Sequence, residues 1–169
     1  EAVESENFKF DTEFEKDSDD AIKTLLEKYY AAYVEGDIAE LEKVATPISD
    51  NEKSYITVLS KYYEKIMNIT YYSKSGATDG SYFVSVRNDI KFYDVDSTAP
   101  ALDFFYIETK DGNLYINNLY SIYNLTFAEN SMDSDIYTLV QQYMQQDDFV
   151  ELQNKVQVAY NEALAGDDK

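Results

Sequence analysis

The stretch IKTLLEKYYAAYVEGDIAEL, Ile22 to Leu41, decides how this chain folds. Ile22, Leu25, Leu26, Tyr29, Tyr30 and Tyr33 follow one another at spacings of three, one, three, one and three. That rhythm lays a continuous apolar and aromatic stripe along one side of a helix. Gly36 is the residue best able to take the left-handed conformation that ends a helix. Asp37 beside it can cap a second helix, and Glu40 three positions on completes a capping-box-like pair. Ile38, Leu41 and Val44 or Ala45 give that helix its buried side, and Pro47 stops it. Ser49 with Glu52 repeats the capping pattern and opens a third helix, with Tyr55, Leu59, Tyr62, Tyr63 and Ile66 at its helical-period positions.

After Met67 the period changes to two. Ile69–Ser73 reads as a strand and Gly76–Gly80 as the turn behind it. Tyr82, Val84 and Val86 then alternate with Phe83, Ser85 and Arg87, Asn88-Asp89 interrupts, and Ile90–Tyr93 resumes. Two polar residues at the middle of a strand predict a bulge or bend, which is how sheets curve. Asp94–Pro100 reads as a loop, Leu102–Thr109 as a third strand, Asp111-Gly112 as a hairpin turn and Leu114–Leu119 as a fourth strand. Hairpin connections make this sheet antiparallel. Two helices follow. Asp133 or Ser134 caps the first, whose face is Ile136, Leu139, Val140, Tyr143 and Met144. Asp148 with Glu151 caps the second, which carries Phe149, Leu152, Val156, Tyr160 and Leu164 and ends at Gly166.

Residues 1–20 differ in kind. They hold nine acids and two lysines around sparse apolar residues such as Phe8, Phe10 and Phe14, which predicts an acidic flexible tether or a loosely docked arm. The Asp17-Ser18-Asp19-Asp20 cluster lacks the glycine and terminal glutamate of an EF-hand loop, so helix capping is its better reading. The chain thus divides into a tether at 1–20, an α+β domain at 21–122, and a C-terminal helical extension at 123–169 packed on the same domain.

Composition removes whole classes of chemistry. With no Cys and no His there is no disulfide, thiolate zinc site, cysteine nucleophile, Ser-His-Asp triad or HExxH motif. Acid–base work near neutral pH falls to Asp, Glu, Lys or Tyr with displaced pKa values. A net charge of −19 with Arg87 as the single arginine disfavours nucleic acid and anionic membrane surfaces as partners. No apolar run is long enough to span a bilayer, so no direct membrane insertion of this segment is expected. No cofactor and no metal site is expected, and no residue is assigned as catalytic.

Three helices followed by a curved, meandering antiparallel sheet is the element order of the NTF2-like (cystatin-like α+β cone) superfamily. The Ile22–Leu41 stretch resembles that superfamily's opening, in which a long amphipathic helix ends at Gly-Asp and a short helix follows; the resemblance spans about residues 20–122. More narrowly, APALDFFYIETKDGNLYI (Ala99–Ile116) and VQVAYNEAL (Val156–Leu164) are similar to uncharacterised proteins of Firmicutes, commonly membrane-tethered with this domain outside the cell. The resemblance implies an NTF2-like cone with N-terminal helices packed on a curved antiparallel sheet and a C-terminal helical pair. It also implies an extracytoplasmic, membrane-tethered or cell-surface setting in a bacterium, with the anchor absent from this chain. The final two helices are additions that cover either the sheet or the mouth of the cone.

Enzymes of the superfamily work between the concave sheet face and the first helix, often with an Asp base and a Tyr or His partner. On that basis the candidate ligand cleft is Tyr33, Arg87, Asp89 and Tyr106: Asp89 as base beside the strand interruption, Tyr33 or Tyr106 as hydroxyl donors, and Arg87 to grip a carboxylate or phosphate. The plainer readings are a solvated bulge at Asp89 and an internal carboxylate partner for Arg87. Seventeen tyrosines fit core packing, yet doublets such as Tyr29-Tyr30, Tyr62-Tyr63 and Tyr71-Tyr72 cannot all point inward. Three functions stay open. The leading expectation is a non-enzymatic extracytoplasmic binding or interaction module for an unknown small molecule or protein. The others are a small-molecule enzyme of isomerase or dehydratase type with an Asp–Tyr pair in the cone, and a homodimer built through the sheet face.

Overall fold

A computed structural model describes residues 5–167. The stripe of Ile22 to Tyr33 forms helix α1, Asp20–Glu35, as its spacing predicts. Asp19 caps it by accepting from Ala21 N at 2.9 Å. Its end is a Schellman closure: Gly36, at φ 68°, donates to Tyr33 O, and Asp37 N donates back to Ala32 O at 2.9 Å. A Cβ on Gly36 would also stand 2.5 Å from Ser60 Oγ, so glycine serves both the turn and a close approach between helices. The short helix α2, Ile38–Glu42, is capped by Asp37, and α3, Asp50–Ser60, by Ser49.

The sheet has six strands in the order β1-β3-β4-β5-β6-β2. They are β1 (Glu15–Lys16), β2 (Ala45–Thr46), β3 (Tyr63–Ser75), β4 (Tyr82–Phe92), β5 (Thr98–Lys110) and β6 (Asn113–Asn117). All neighbours are antiparallel except β2, which runs parallel to β6. Asp111 and Gly112 both carry positive φ, 54° and 80°, the turn that the right-handed twist of a hairpin favours. After a 3-10 turn at Asn118–Tyr120 come α4 (Ile122–Phe127), α5 (Ser134–Tyr143) and α6 (Asp147–Asp167). The protein is therefore α+β, with a curved, open, mostly antiparallel sheet.

The middle strands are covered on both faces. Val84 and Val86 of β4 with Phe105 and Ile107 of β5 pack against Ile22, Leu25, Leu26 and Tyr30 of α1. On the other face Phe83, Phe104 and Tyr106 meet Leu139, Val140 and Tyr143 of α5 and Phe149 of α6. The Tyr143 ring lies against Phe83 at 5.2 Å, and its hydroxyl shares a buried hydrogen bond of 2.6 Å with Ser85. The C-terminal helices thus cover the sheet's second face and leave the α1 side to α1, α3 and α4.

The N-terminal segment, expected as a tether or loosely docked arm, lies on this second face over its described part. Phe8 and Phe10 pack on Phe83, Phe14 packs on Tyr143, and Glu15-Lys16 pair with Tyr72 and Ser73. Residues 1–4 lie outside the described residues.

Four expectations are corrected. The third helix stops at Ser60, and Tyr63 and Ile66 belong to β3 rather than to a helical face. The strand irregularity is not in β4, which runs unbroken through Asn88-Asp89. It lies opposite, in β3, where the pairing shifts between Met67 and Thr70 and Asn68 takes φ 55°. Asp148 does not act as a simple cap. Its carboxylate reaches 2.8 Å from the ammonium of Lys74, a side chain only 1% exposed. Helix α6 also continues through Gly166.

The β3 irregularity determines what the α1 side looks like. One extra residue near Asn68 and another between Tyr63 and Lys65 let Tyr63, Ile66 and Tyr71 all face α1, which strict alternation forbids. Asn68→Val, a β-branched residue forced into the left-handed region, is expected to cost about 1–2 kcal/mol, and Asn68→Gly close to nothing. Urea unfolding of the two variants measures this; equal midpoints would contradict the bulge's dependence on that conformation.

Candidate functional site

Between α1, α3, α4 and the α1-facing side of β3, β4 and β5 lies a cavity of about 380 Å³. Its deepest residues are Tyr30 of α1, Asn88 of β4 and Asp103 of β5. Strand alternation brings Asn88 and Asp103 to the same face, two steps along from Val86 and Phe105 respectively. Tyr30 Oη donates to Asp103 Oδ2 at 2.6 Å, and Asn88 Nδ2 donates to the same oxygen at 3.1 Å. Both bonds fall on Oδ2, which leaves Oδ1 for other partners. The amide orientation of Asn88 is dictated by chemistry, since the flipped form would set an acceptor against a carboxylate. Its Oδ1 is consequently buried with no hydrogen-bond partner.

Above this floor the walls are aromatic. Tyr29 meets Phe105 at 4.9 Å and Tyr33 at 5.8 Å, and Tyr33 stacks on Tyr63 at 6.2 Å. Tyr55, Tyr123 and Phe127 form the mouth, where Tyr55 packs on Tyr123 and Tyr123 on Phe127. Exposure rises outward, from 3% at Tyr30 to 48% at Tyr55 and 60% at Phe127.

A second carboxylate lines the cavity from α3. Glu52 N donates to Ser49 Oγ at 3.1 Å, the expected cap, but the Glu52 side chain does not close a capping box. It turns inward and accepts from Asn118 Nδ2 at 3.0 Å, while the same amide donates to Pro47 O at 2.9 Å. Burial pushes the Glu52 carboxyl up to about 7, against the lowering by Asn118 and helped by the charge of Glu129. Glu129 is tied at the mouth by Ser49 and Asn51. Burial likewise raises Asp103 above the ordinary carboxylate range, opposed by its bonds from Tyr30 and Asn88. Tyr29, Tyr30 and Tyr33 are raised by burial first and by neighbouring phenols or Asp103 second, so all three stay neutral hydroxyls.

Of the four residues singled out in the sequence, the structure brings only Tyr33 to this cavity. Asp89 sits one step along from Asn88, so alternation turns it to the opposite face, where it accepts from Asn68 Nδ2 at 2.9 Å and braces the bulge. Arg87 shares that face, paired across to Thr70 and Leu102, and makes no ion pair among the described residues. Tyr106 points to the second face, bonded to Ser81 and packed on Phe83 and Tyr120. The residues missed are Tyr30, Asn88, Asp103 and Glu52. A polar residue inside a two-sided apolar strand was the available signal for Asn88 and Asp103. Glu52 was hidden by its place in a capping pattern.

A second, more open groove of about 520 Å³ runs on the other side of β5, between α4 and α6. Its apolar lining includes Leu102, Leu125, Met144 and Phe149, and Asp103 reaches it as well, beside Gln153 of α6. No family model matches this chain, and no curated protein matches it.

The Glu52 carboxyl gives a pH prediction with a definite sign. The folded protein holds this proton more tightly than an unfolded chain at the ordinary 4.5, so its contribution to stability is full below that value. It is lost as pH rises through about 7. Glu52→Gln removes this dependence. Its Tm relative to wild type is expected to climb by about 2–4 °C between about pH 5 and 7, the effect of about 1 kcal/mol at this size after allowing for solvent in the cavity. Scanning calorimetry at both pH values checks this; a constant difference would contradict it.

Proposed function

We propose that this chain is an extracytoplasmic binding module of NTF2-like architecture that holds a small molecule in the cavity between α1 and the concave side of its sheet. The observation that carries the reading is the cavity itself: a concave, aromatic-walled space with a few convergent polar atoms at its floor, the usual make-up of a small-molecule site. The helix order and the bulged, curved sheet support the cone assignment. The cell-surface setting rests on the sequence resemblance alone. Among the described residues no helix is long and apolar enough to cross a membrane, which fits a domain that does not itself insert. Dimerisation through the sheet face draws no support, because α5, α6 and the N-terminal arm cover the second face.

A second reading is favoured by one observation, the Tyr30–Asp103 hydrogen bond at the cavity floor. A desolvated carboxylate with one free oxygen can take a proton from a bound carbon acid, while neighbouring tyrosine hydroxyls stabilise the resulting oxyanion. The Asp–Tyr pair of this enzyme reading is Asp103 with Tyr30 or Tyr33, in place of Asp89.

A thermal-shift screen with sugars, peptidoglycan fragments and amphipathic small molecules tests the binding reading. A ligand at 100-fold its Kd stabilises by about 2.7 kcal/mol, or about 5–11 °C at this size. The shift is expected in wild type and absent in Ile90→Trp, which fills the cavity from β4. A shift that survives Ile90→Trp would contradict the cavity as the site. Solvent deuterium appearing in a bound carbonyl compound with wild type, and not with Asp103→Asn, would establish the enzyme reading.

A further inference from the structure

The cavity has a chemical polarity that narrows its ligand. Each protein donor at its floor is already used. The Tyr30 hydroxyl proton and the Asn88 amide are committed to Asp103, and the Asn118 amide to Glu52 and Pro47. What lines the space beside these is the Asp103 carboxylate through Oδ1, the Glu52 carboxyl group and the hydroxyls of Tyr29, Tyr33 and Tyr63. Asn88 is 1% exposed and its Oδ1 has no partner. That oxygen has almost no accessible surface, so the Asp103 carboxylate, with Oδ1 unbonded, is the point that can receive a donor from outside. No lysine or arginine lines the cavity to supply it.

The walls agree with the floor. Tyr29, Tyr30, Tyr33, Tyr55, Tyr63 and Tyr123, with Phe105 and Phe127, surround the space with aromatic rings. Ring faces attract cations, and more strongly where water is excluded. The chain's −19 charge raises the local concentration of cations and repels anions before contact. An anionic ligand would meet Asp103 with no lysine or arginine in the lining to offset it, and a neutral one would leave the Asp103 charge without a counter-charge.

We infer that the cavity takes a small protonated organic amine, its N–H groups on the Asp103 carboxylate and its apolar body among the tyrosine rings. This rests on the binding reading above and specifies the ligand's class. Phenethylamine, a cation at pH 7, is the probe, with phenethyl alcohol as its neutral analogue and phenylacetate as its anionic one. Titration calorimetry with the wild-type chain is expected to show the amine binding at least about tenfold more tightly than the alcohol, the worth of one charge-assisted hydrogen bond, and no heat from phenylacetate. Asp103→Asn is expected to remove that preference while the alcohol's affinity stays. If Asp103→Asn melts early, Glu52→Gln supplies the test at the second carboxylate and should narrow the preference.

An alcohol that binds as well as the amine, or better, would overturn the amine inference and leave the cavity reading standing. Amine binding unchanged by Ile90→Trp would place the amine elsewhere and overturn it too. Silence from all three probes at millimolar concentration would overturn both readings together.

Discussion

A carboxylate on a strand covered on both faces must either be given donors or lose its charge, and Asp103 is in that position. It lies on β5, whose neighbours Phe104 and Phe105 are buried on opposite sides of the sheet. The 2.6 Å bond from Tyr30 and the 3.1 Å bond from Asn88 answer the requirement. Those three residues come from α1, β4 and β5, so the bond set also fixes how the long helix sits over the two central strands. Because both donors converge on one carboxylate oxygen, the other is left for a partner in the cavity. The interaction that holds the fold at this point is the one that gives the cavity its acceptor character.

The space above that floor exists because β3 does not alternate strictly. Extra residues near Asn68 and between Tyr63 and Lys65 bend the strand and return Tyr63 and Ile66 to the α1 side. Asp89, on the other face, holds Asn68 through a side-chain hydrogen bond. The C-terminal helices do their packing on the far side, around Tyr143, and so leave the mouth to Tyr55, Tyr123 and Phe127. Lys74, enclosed beneath Phe14 and paired with Asp148, ties β3 to the start of α6 on that far side.

Most of the architecture is legible in the sequence. The Ile22–Tyr33 stripe, the Gly36-Asp37 stop, the Asp111-Gly112 hairpin, the face of α5 and the Phe149, Leu152 and Val156 side of α6 each follow from one local rule, whereas Tyr160 and Leu164, expected on that side, are exposed. What fails has physical causes. Tyr63 and Ile66 are three apart because a bulge inserts a residue between them, and a three-residue spacing imitates a helix. The Asn88-Asp89 pair marks the right place in the sheet, but its bulge lies on the partner strand, which a single-strand pattern cannot express. The choice of Asp89 over Asn88 is an error of one residue, and alternation turns one residue into the whole thickness of the sheet. Asp103 is hidden because its neighbours read as an ordinary apolar strand, and Glu52 because a cap explains it locally. Helix α4 is six residues with no amphipathic repeat to reveal it.

The central claim is that the acceptor-lined space under α1 is where this protein meets its ligand. Amide and methyl NMR spectra of the full chain, recorded with and without phenethylamine, test it most directly. The account predicts shifts confined to the Asn88 side-chain amide, Tyr33, Ile66, Ile90 and neighbours in that cavity. Shifts centred instead on Gln153, Gln157 and Met144, in the open groove beyond β5, would contradict it.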